Sequence, residues 1–183
     1  SSGLKLIYTP LNGTGNIPVR RVLSDIGIKD VRIVKEQESP DGNFPTCPYP
    51  NPEIRQVFEC GLKMAEEESC DLLLATDPDC DRVGIAVNTG DSYKLMTGSE
   101  VGVLLAEYLL SRRKELGILP KNPIVVKSFV TTSLVDAVAK KYGAEVKSLL
   151  TGFKYIGEFI TKLEAKGEEK RFIVGMEESY GYL

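Results

Sequence analysis

Cys70-Asp71-Leu72-Leu73-Leu74-Ala75-Thr76-Asp77-Pro78-Asp79-Cys80-Asp81-Arg82 is the stretch from which the rest of the chain is read. A short apolar run, the length of a buried β-strand, stops at three carboxylates on alternate positions, followed by an arginine. Carboxylates crowded at the mouth of a buried strand repel one another. A hard divalent cation relieves that repulsion, and an all-oxygen donor set suits Mg²⁺ far better than zinc or copper. Alternate residues of a straight strand lie about 7 Å apart, too far to share one ion. The backbone is therefore expected to curl round the metal, and Pro78 favours the departure from the ladder. Arg82 adds a planar fork suited to a phosphate or carboxylate beside the cation. The stretch reads as a metal-assisted phosphate site with Asp77, Asp79 and Asp81 as ligands.

Three other readings compete. An acidic strand-end loop needs no ion at all. An EF-hand also opens with Asp-x-Asp-x-Asp, but it requires glycine at position six and glutamate at position twelve. Those positions hold Arg82 and Asn88, and a strand rather than a helix precedes the loop, so that reading fails. A haloacid dehalogenase-type phosphatase also places Asp-x-Asp after a buried strand, with the first aspartate, here Asp77, as covalent nucleophile. That type usually continues with a small residue and then Thr or Val, where this chain has Cys80 and Asp81. It stands as the enzymatic alternative.

The chain has 183 residues, 42% hydrophobic and 27% charged, enough for one large or two small domains with real cores. A net charge of −3 with dispersed lysines and arginines leaves no footprint for nucleic acid or an anionic membrane. No apolar run has the length of a membrane span, and no signal-peptide pattern opens the chain. Ser1-Ser2-Gly3 is left outside the fold. The four cysteines, at 47, 60, 70 and 80, form no Cys-x-x-Cys pair, and histidine is absent, which argues against a Cys/His zinc site. Cys60 and Cys70 are read as small core residues and Cys47 and Cys80 as loop residues. Free thiols in a reducing cytosol are the simplest reading. Without histidine, Ser-His-Asp and Cys-His chemistry are excluded within these residues.

Strand and helix signals alternate with short loops. Strands are expected over 4–9, 31–35, 71–76 and 83–87, and helices over 16–27, capped by Asn16, and 52–69. Four prolines at 40, 45, 48 and 50 make the stretch from Glu36 to Asn51 irregular. A turn at Asn88-Thr89-Gly90-Asp91 is read as the seam between two domains, 1–91 and 92–183, although a hairpin inside one domain uses the same residue types. The pattern then restarts with a strand over 93–96, a helix over 99–116, strands over 123–129, 144–149 and 171–175, and helices over 133–142 and 153–165. This alternation predicts an α/β protein with helices on both faces of each sheet.

Three further junctions hold candidate chemistry. Thr9-Pro10-Leu11-Asn12-Gly13-Thr14-Gly15 enters a helix and suits either an anion or a structural turn. Thr151-Gly152-Phe153-Lys154 brings a lysine to a helix N-terminus, where a phosphate is favoured. Gly175-Met176-Glu177-Glu178-Ser179-Tyr180-Gly181 offers acceptors and a hydroxyl suited to sugar OH groups.

Taken together, these loops resemble those of the α-D-phosphohexomutase family of phosphoglucomutases and phosphomannomutases. Asp77-Pro-Asp79-Cys-Asp81-Arg82 is similar to the family's metal loop. Met176-Glu177-Glu178-Ser179-Tyr180-Gly181 is similar to its sugar loop, with Met176 where glycine is common. The Thr9–Gly15 loop, Asp41-Gly-Asn-Phe-Pro45 through Pro50-Asn-Pro-Glu53, and Thr151-Gly-Phe-Lys154-Tyr-Ile extend the resemblance in the family's order. The resemblance implies two related three-layer α/β/α domains, each a small mixed sheet flanked by helices, corresponding to the second and third of four domains. The first domain's phosphorylated serine loop and the fourth domain's phosphate loop have no counterpart, which implies a piece of a longer enzyme. The implied reaction moves phosphate between C1 and C6 of a hexose through a bisphosphorylated sugar, with Mg²⁺ and a glucose 1,6-bisphosphate-type activator. By the same resemblance Asp77, Asp79 and Asp81 hold the metal and Arg82 lies beside the phosphoryl group. Glu177 and Ser179 bind sugar hydroxyls, and Lys154 lies near the substrate. The implied partners are a hexose phosphate and the missing first and fourth domains, in the cytoplasm, with no nucleic acid or membrane. A non-catalytic sugar-phosphate or metal-binding module is the third reading.

Overall fold

A computed structural model describes residues 3–183, so Ser1 and Ser2 lie outside the described residues. The chain forms two compact units, one ending at Met96 and the other running from Thr97 to Leu183.

The first unit holds β1 (Leu6–Thr9), α1 (Asn16–Asp25), β2 (Val31–Ile33), α2 (Glu59–Glu68), β3 (Leu72–Thr76), β4 (Val83–Asn88) and β5 (Tyr93–Met96). Its five strands run in the order β2-β1-β3-β4-β5. The first three are parallel, with Leu6 level with Val31 on one side and Leu72 on the other. β4 and β5 close the sheet antiparallel, Thr76 facing Val83 and Ile85 facing Met96. Successive side chains on a strand point to opposite faces, and both faces are buried. Ile7, Leu73 and Ala75 pack with Phe58, Leu62 and Ala65 of the segment leading into and through α2. Leu6, Tyr8, Leu72 and Leu74 pack with Val19 and Leu23 of α1. Two-sided burial explains why β3 reads as an unbroken apolar run rather than an alternating one.

The second unit holds α3 (Gly98–Glu115), β6 (Ile124–Ser128), α4 (Leu134–Lys141), β7 (Glu145–Leu149), α5 (Phe153–Glu164) and β8 (Phe172–Met176). α3 opens with a capping box, Thr97 and Glu100 each bonding the other's backbone N–H. The sheet order is β7-β6-β8, all parallel. Val125, Val174 and Met176 pack towards Ala106 and Leu110 of α3 and Val135 and Ala139 of α4. Ile124 and Val126 pack towards Ile156 and Leu163 of α5. Beyond β8 the chain turns back. Gly175 and Leu183 exchange both backbone hydrogen bonds at 2.9 Å, and Met176 bridges Tyr182 antiparallel.

Several sequence expectations shift. The seam falls after Met96 instead of at residue 91, because β5 completes the first sheet; the 88–91 turn is an intradomain hairpin. The second sheet is parallel, not mixed, in its three strands. Asn16 is the first helical residue and not a cap, its amide being spent on the Glu38 carbonyl (3.0 Å). The helix expected from Pro52 starts late: Asn51 makes a turn, accepting from Glu53 and Ile54, and Arg55–Phe58 form a 3₁₀ turn before α2. β2 stops at Ile33, and Lys35–Gln37 form another 3₁₀ turn. Cys47 lies in a loop but is buried in the core.

Candidate functional site

In both units the candidate groups stand at the carboxyl ends of parallel strands, where open α/β sheets place their ligands. In the first unit β3 delivers Thr76 and then leaves the sheet. Cys80 takes a positive φ of 64° and its N–H closes a turn on the Asp77 carbonyl at 3.0 Å. That turn folds the alternating aspartates inward, so carboxylate oxygens of Asp77, Asp79 and Asp81 lie within 4.8 Å of one another. Asp77 is buried while Asp79 and Asp81 are exposed. The curl expected from the sequence is present.

Burial pushes the Asp77 carboxyl up to about 6, and Asp81 and Asp79 beside it push the same way, against the opposing pull of the Arg82 N–H. That N–H donates to Asp77 Oδ1 at 3.0 Å. A carboxylate in such surroundings resists ionising unless a cation is close, and the donor set is oxygen only. These residues fit Mg²⁺. The Arg82 guanidinium stands 3.7 Å from Asp77, 3.9 Å from Asp81 and 3.7 Å from Glu53, so it is steered by three carboxylates and forked tightly onto none. Glu53 is a partner that the sequence named only within a longer resemblance, without a role.

The Thr9–Gly15 loop abuts this turn. Thr14 bonds the Pro78 carbonyl, and a Cβ built on Gly13 would fall within the Pro78 backbone. Of the two sequence readings, the structural one accounts for these glycines.

In the second unit two consecutive carboxylates at the end of β8 reach different loops. Glu177, 6% exposed, accepts the Gly152 N–H at the entrance to α5. Glu178 Oε2 accepts the Ser128 hydroxyl at 2.7 Å and that of Thr131 at 3.3 Å, both from the end of β6 and its loop. The turn between Glu177 and Gly181 is closed by a Glu177 N–H bond to the Gly181 carbonyl at 2.9 Å. Ser179 sits half-buried in that turn. Lys154, in the first turn of α5, is exposed, with its ammonium 4.9 Å from the Tyr155 ring centre.

Sequence reading missed Ser128, Thr131, Glu178 and Lys127 as a group. Lys127 is 5% exposed inside β6, and its ammonium donates to the carbonyls of Thr131 (3.3 Å) and Thr132 (3.2 Å) and to Asp136 (2.5 Å). Three donors meet three acceptors, which closes the loop after β6 round a buried cation. The signal was available: a lysine within Ile124-Val125-Val126 and its continuation needs a partner if the strand is buried.

Both units resemble known proteins. Residues 1–90 match the family model described as phosphoglucomutase/phosphomannomutase, alpha/beta/alpha domain II, and residues 97–183 match that of domain III. A phosphomannomutase of Mycoplasmoides pirum is 31% identical over all of this chain and 32% of its own length. A phosphoglucomutase of Staphylococcus saprophyticus is 36% identical over 98% of this chain and 32% of its own. The N-acetylphosphoglucosamine mutase of Aspergillus fumigatus, solved with GlcNAc-6P and magnesium, shares the fold with a TM-score of 0.65 at 20% identity, over 98% of this chain and 35% of that one. An S69A form of that mutase was solved with glucose 1,6-bisphosphate. The chain thus spans about a third of the length of the curated relatives it matches. With both of its units matched in order by the family's second and third domains, the chain belongs to the phosphoglucomutase/phosphomannomutase family.

Proposed function

We propose that these residues are the central part of a phosphohexomutase interconverting hexose 1-phosphate and hexose 6-phosphate through a bisphosphorylated sugar, with glucose phosphates preferred. The observation behind it is the curled Asp77-Asp79-Asp81 cluster, with oxygens within 4.8 Å and Arg82 alongside. Asp77, Asp79 and Asp81 would hold Mg²⁺, which when bound supplies positive charge against the transferring phosphoryl group. Arg82, held loosely by its carboxylates, turns its fork to the same oxygens as an electrostatic stabiliser. Glu177 and Ser179 meet sugar hydroxyls, and Lys154 meets the substrate's phosphate at the positive end of α5. The phosphoserine and the second phosphate loop belong to the first and fourth domains of the longer protein in this reading, so residues 1–183 alone turn over nothing.

The Glu-Glu-Ser-Tyr-Gly loop, by resemblance, favours glucose over mannose or pentose phosphates. The magnesium and the bisphosphate found with the Aspergillus enzyme support the same cofactor and activator here. Four unpaired cysteines fit a reducing cytoplasm. Among the described residues no helix is long and apolar enough to cross a membrane. No feature of the fold favours the dehalogenase-type alternative with Asp77 as nucleophile.

The test is a coupled assay of the longer protein with glucose 1-phosphate, glucose 1,6-bisphosphate and Mg²⁺. Metal-dependent turnover that is lost in Asp79→Ala is expected. Turnover indifferent to Mg²⁺, or none at all, refutes the proposal.

A further inference from the structure

We propose that Glu178 is a positioning residue for sugar recognition, acting through its neighbour Glu177; this rests on reading Glu177 as an acceptor of sugar hydroxyls. The Glu178 carboxylate is moored to a rigid loop. Its Oε2 accepts from the buried Ser128 at 2.7 Å, and the single proton of the buried Thr131 hydroxyl is shared between Ser128 Oγ at 2.8 Å and Glu178 Oε2 at 3.3 Å. Hydrogen bonds to a carboxylate are stronger than those between neutral groups. The loop that supplies them is itself fastened, since the carbonyls of Thr131 and Thr132 grip the buried Lys127 ammonium.

The backbone of Glu178 is confined as well. A Cβ on Gly98, the first residue of α3, would overlap the Glu178 carbonyl, so helix and loop touch without a side chain between them. The carbonyl contact holds the peptide that joins Glu178 to Ser179, and the bonds to the side chain hold the same residue from the other direction, so Glu178 has little room to swing. Both residues stand in the turn that the Glu177 N–H closes on the Gly181 carbonyl at 2.9 Å, so a shift of one is passed to the other. Within that turn the Glu178 side chain reaches the loop after β6 and the Glu177 side chain reaches the loop before α5, where it takes the Gly152 N–H. Glu178 sets the direction in which Glu177 presents its carboxylate.

The inference is tested by a double-mutant cycle in the longer protein, reading kcat/KM for glucose 1-phosphate beside a thermal melt. E178A is expected to lower kcat/KM tenfold or more, and E178Q to recover part of that loss, because its amide oxygen accepts the same hydroxyls. In an E177Q background, E178A should cost less than threefold, since the residue it positions is already impaired. A merely structural role predicts losses that multiply. Should E178A fold poorly, Thr131→Val removes one mooring at constant shape and should show the same non-additivity on a smaller scale. Multiplying losses, or wild-type kcat/KM in E178A beside an impaired E177Q, overturns this inference alone. An active enzyme indifferent to E177Q removes the reading of Glu177 and this inference with it.

Discussion

Thr14 donates both its backbone N–H (2.8 Å) and its hydroxyl (3.0 Å) to the carbonyl oxygen of Pro78. The loop after β1 is thereby tied to the apex of the carboxylate turn. Its glycine at 13 is there because the Pro78 backbone occupies the space of a side chain. The aspartates keep their curl because a second loop holds the turn from outside.

Gly13→Ala should therefore disturb the carboxylate turn without touching Asp77, Asp79 or Asp81. Overpacking against backbone costs about 1–3 kcal/mol, and the displaced turn should weaken Mg²⁺ binding. Thermal melts and titration calorimetry on residues 1–183 measure both. Unchanged stability and unchanged affinity would show that the two loops are not coupled.

Asp77→Asn should raise the melting temperature of the metal-free protein near pH 7.5 and abolish the rise that Mg²⁺ gives the wild type. Burial, then Asp81 and Asp79, set the folded carboxyl at about 6, above the ordinary carboxylate value. A group raised in this way stabilises the fold fully only below its unfolded value, and that contribution is lost as pH rises through about 6. Above that pH the ionised Asp77 is a burden of order 1–3 kcal/mol that the neutral amide does not carry. A lower metal-free melting temperature in the variant would contradict this.

Glu177→Gln in the longer protein should harm sugar recognition far more than the fold. The amide oxygen can still accept the Gly152 N–H, so the loop stays closed. Losing the charge on a substrate contact costs roughly 1.5–3 kcal/mol, about ten- to hundredfold in kcat/KM. Steady-state kinetics with glucose 1-phosphate, read beside a melt, separates this from an acidic surface turn, for which activity stays at the wild-type value.

Thr97→Ala removes the hydroxyl half of the box that opens α3, and should cost about 1 kcal/mol. Thr97→Ser should restore most of it. Equal melting temperatures for all three proteins would mean that packing alone fixes that terminus.

The curl of the carboxylate turn was legible because its two signals are local: an apolar run with no polar break, then carboxylates too close to coexist. The contacts of the turn after β8 were less so, because they depend on neighbours 25 to 50 residues away in sequence, such as Gly152 for Glu177 and Ser128 for Glu178. The seam at residue 91 failed for a different reason. Tyr93–Met96 has strand character, but nothing within four residues says which sheet it joins. Thr97-x-x-Glu100 was the better boundary signal, since a capping box marks where a new element must begin. Lys127 was passed over because the apolar run around it dominates the local reading, while its three acceptors lie ahead in the chain.

The return of residues 181–183 along β8 bears on how this protein behaves at high concentration. β8 borders its sheet, and its sequence, Phe172-Ile173-Val174-Gly175-Met176, is apolar with no charge or proline to deter pairing. An uncovered rim of that kind is a template for strands from other molecules. The exchange between Gly175 and Leu183 occupies part of that rim from within the same chain. Shortening the chain before Gly181 should thus produce a species that self-associates and binds cross-β dyes, while the same cut leaves the carboxylate turn of the first unit intact.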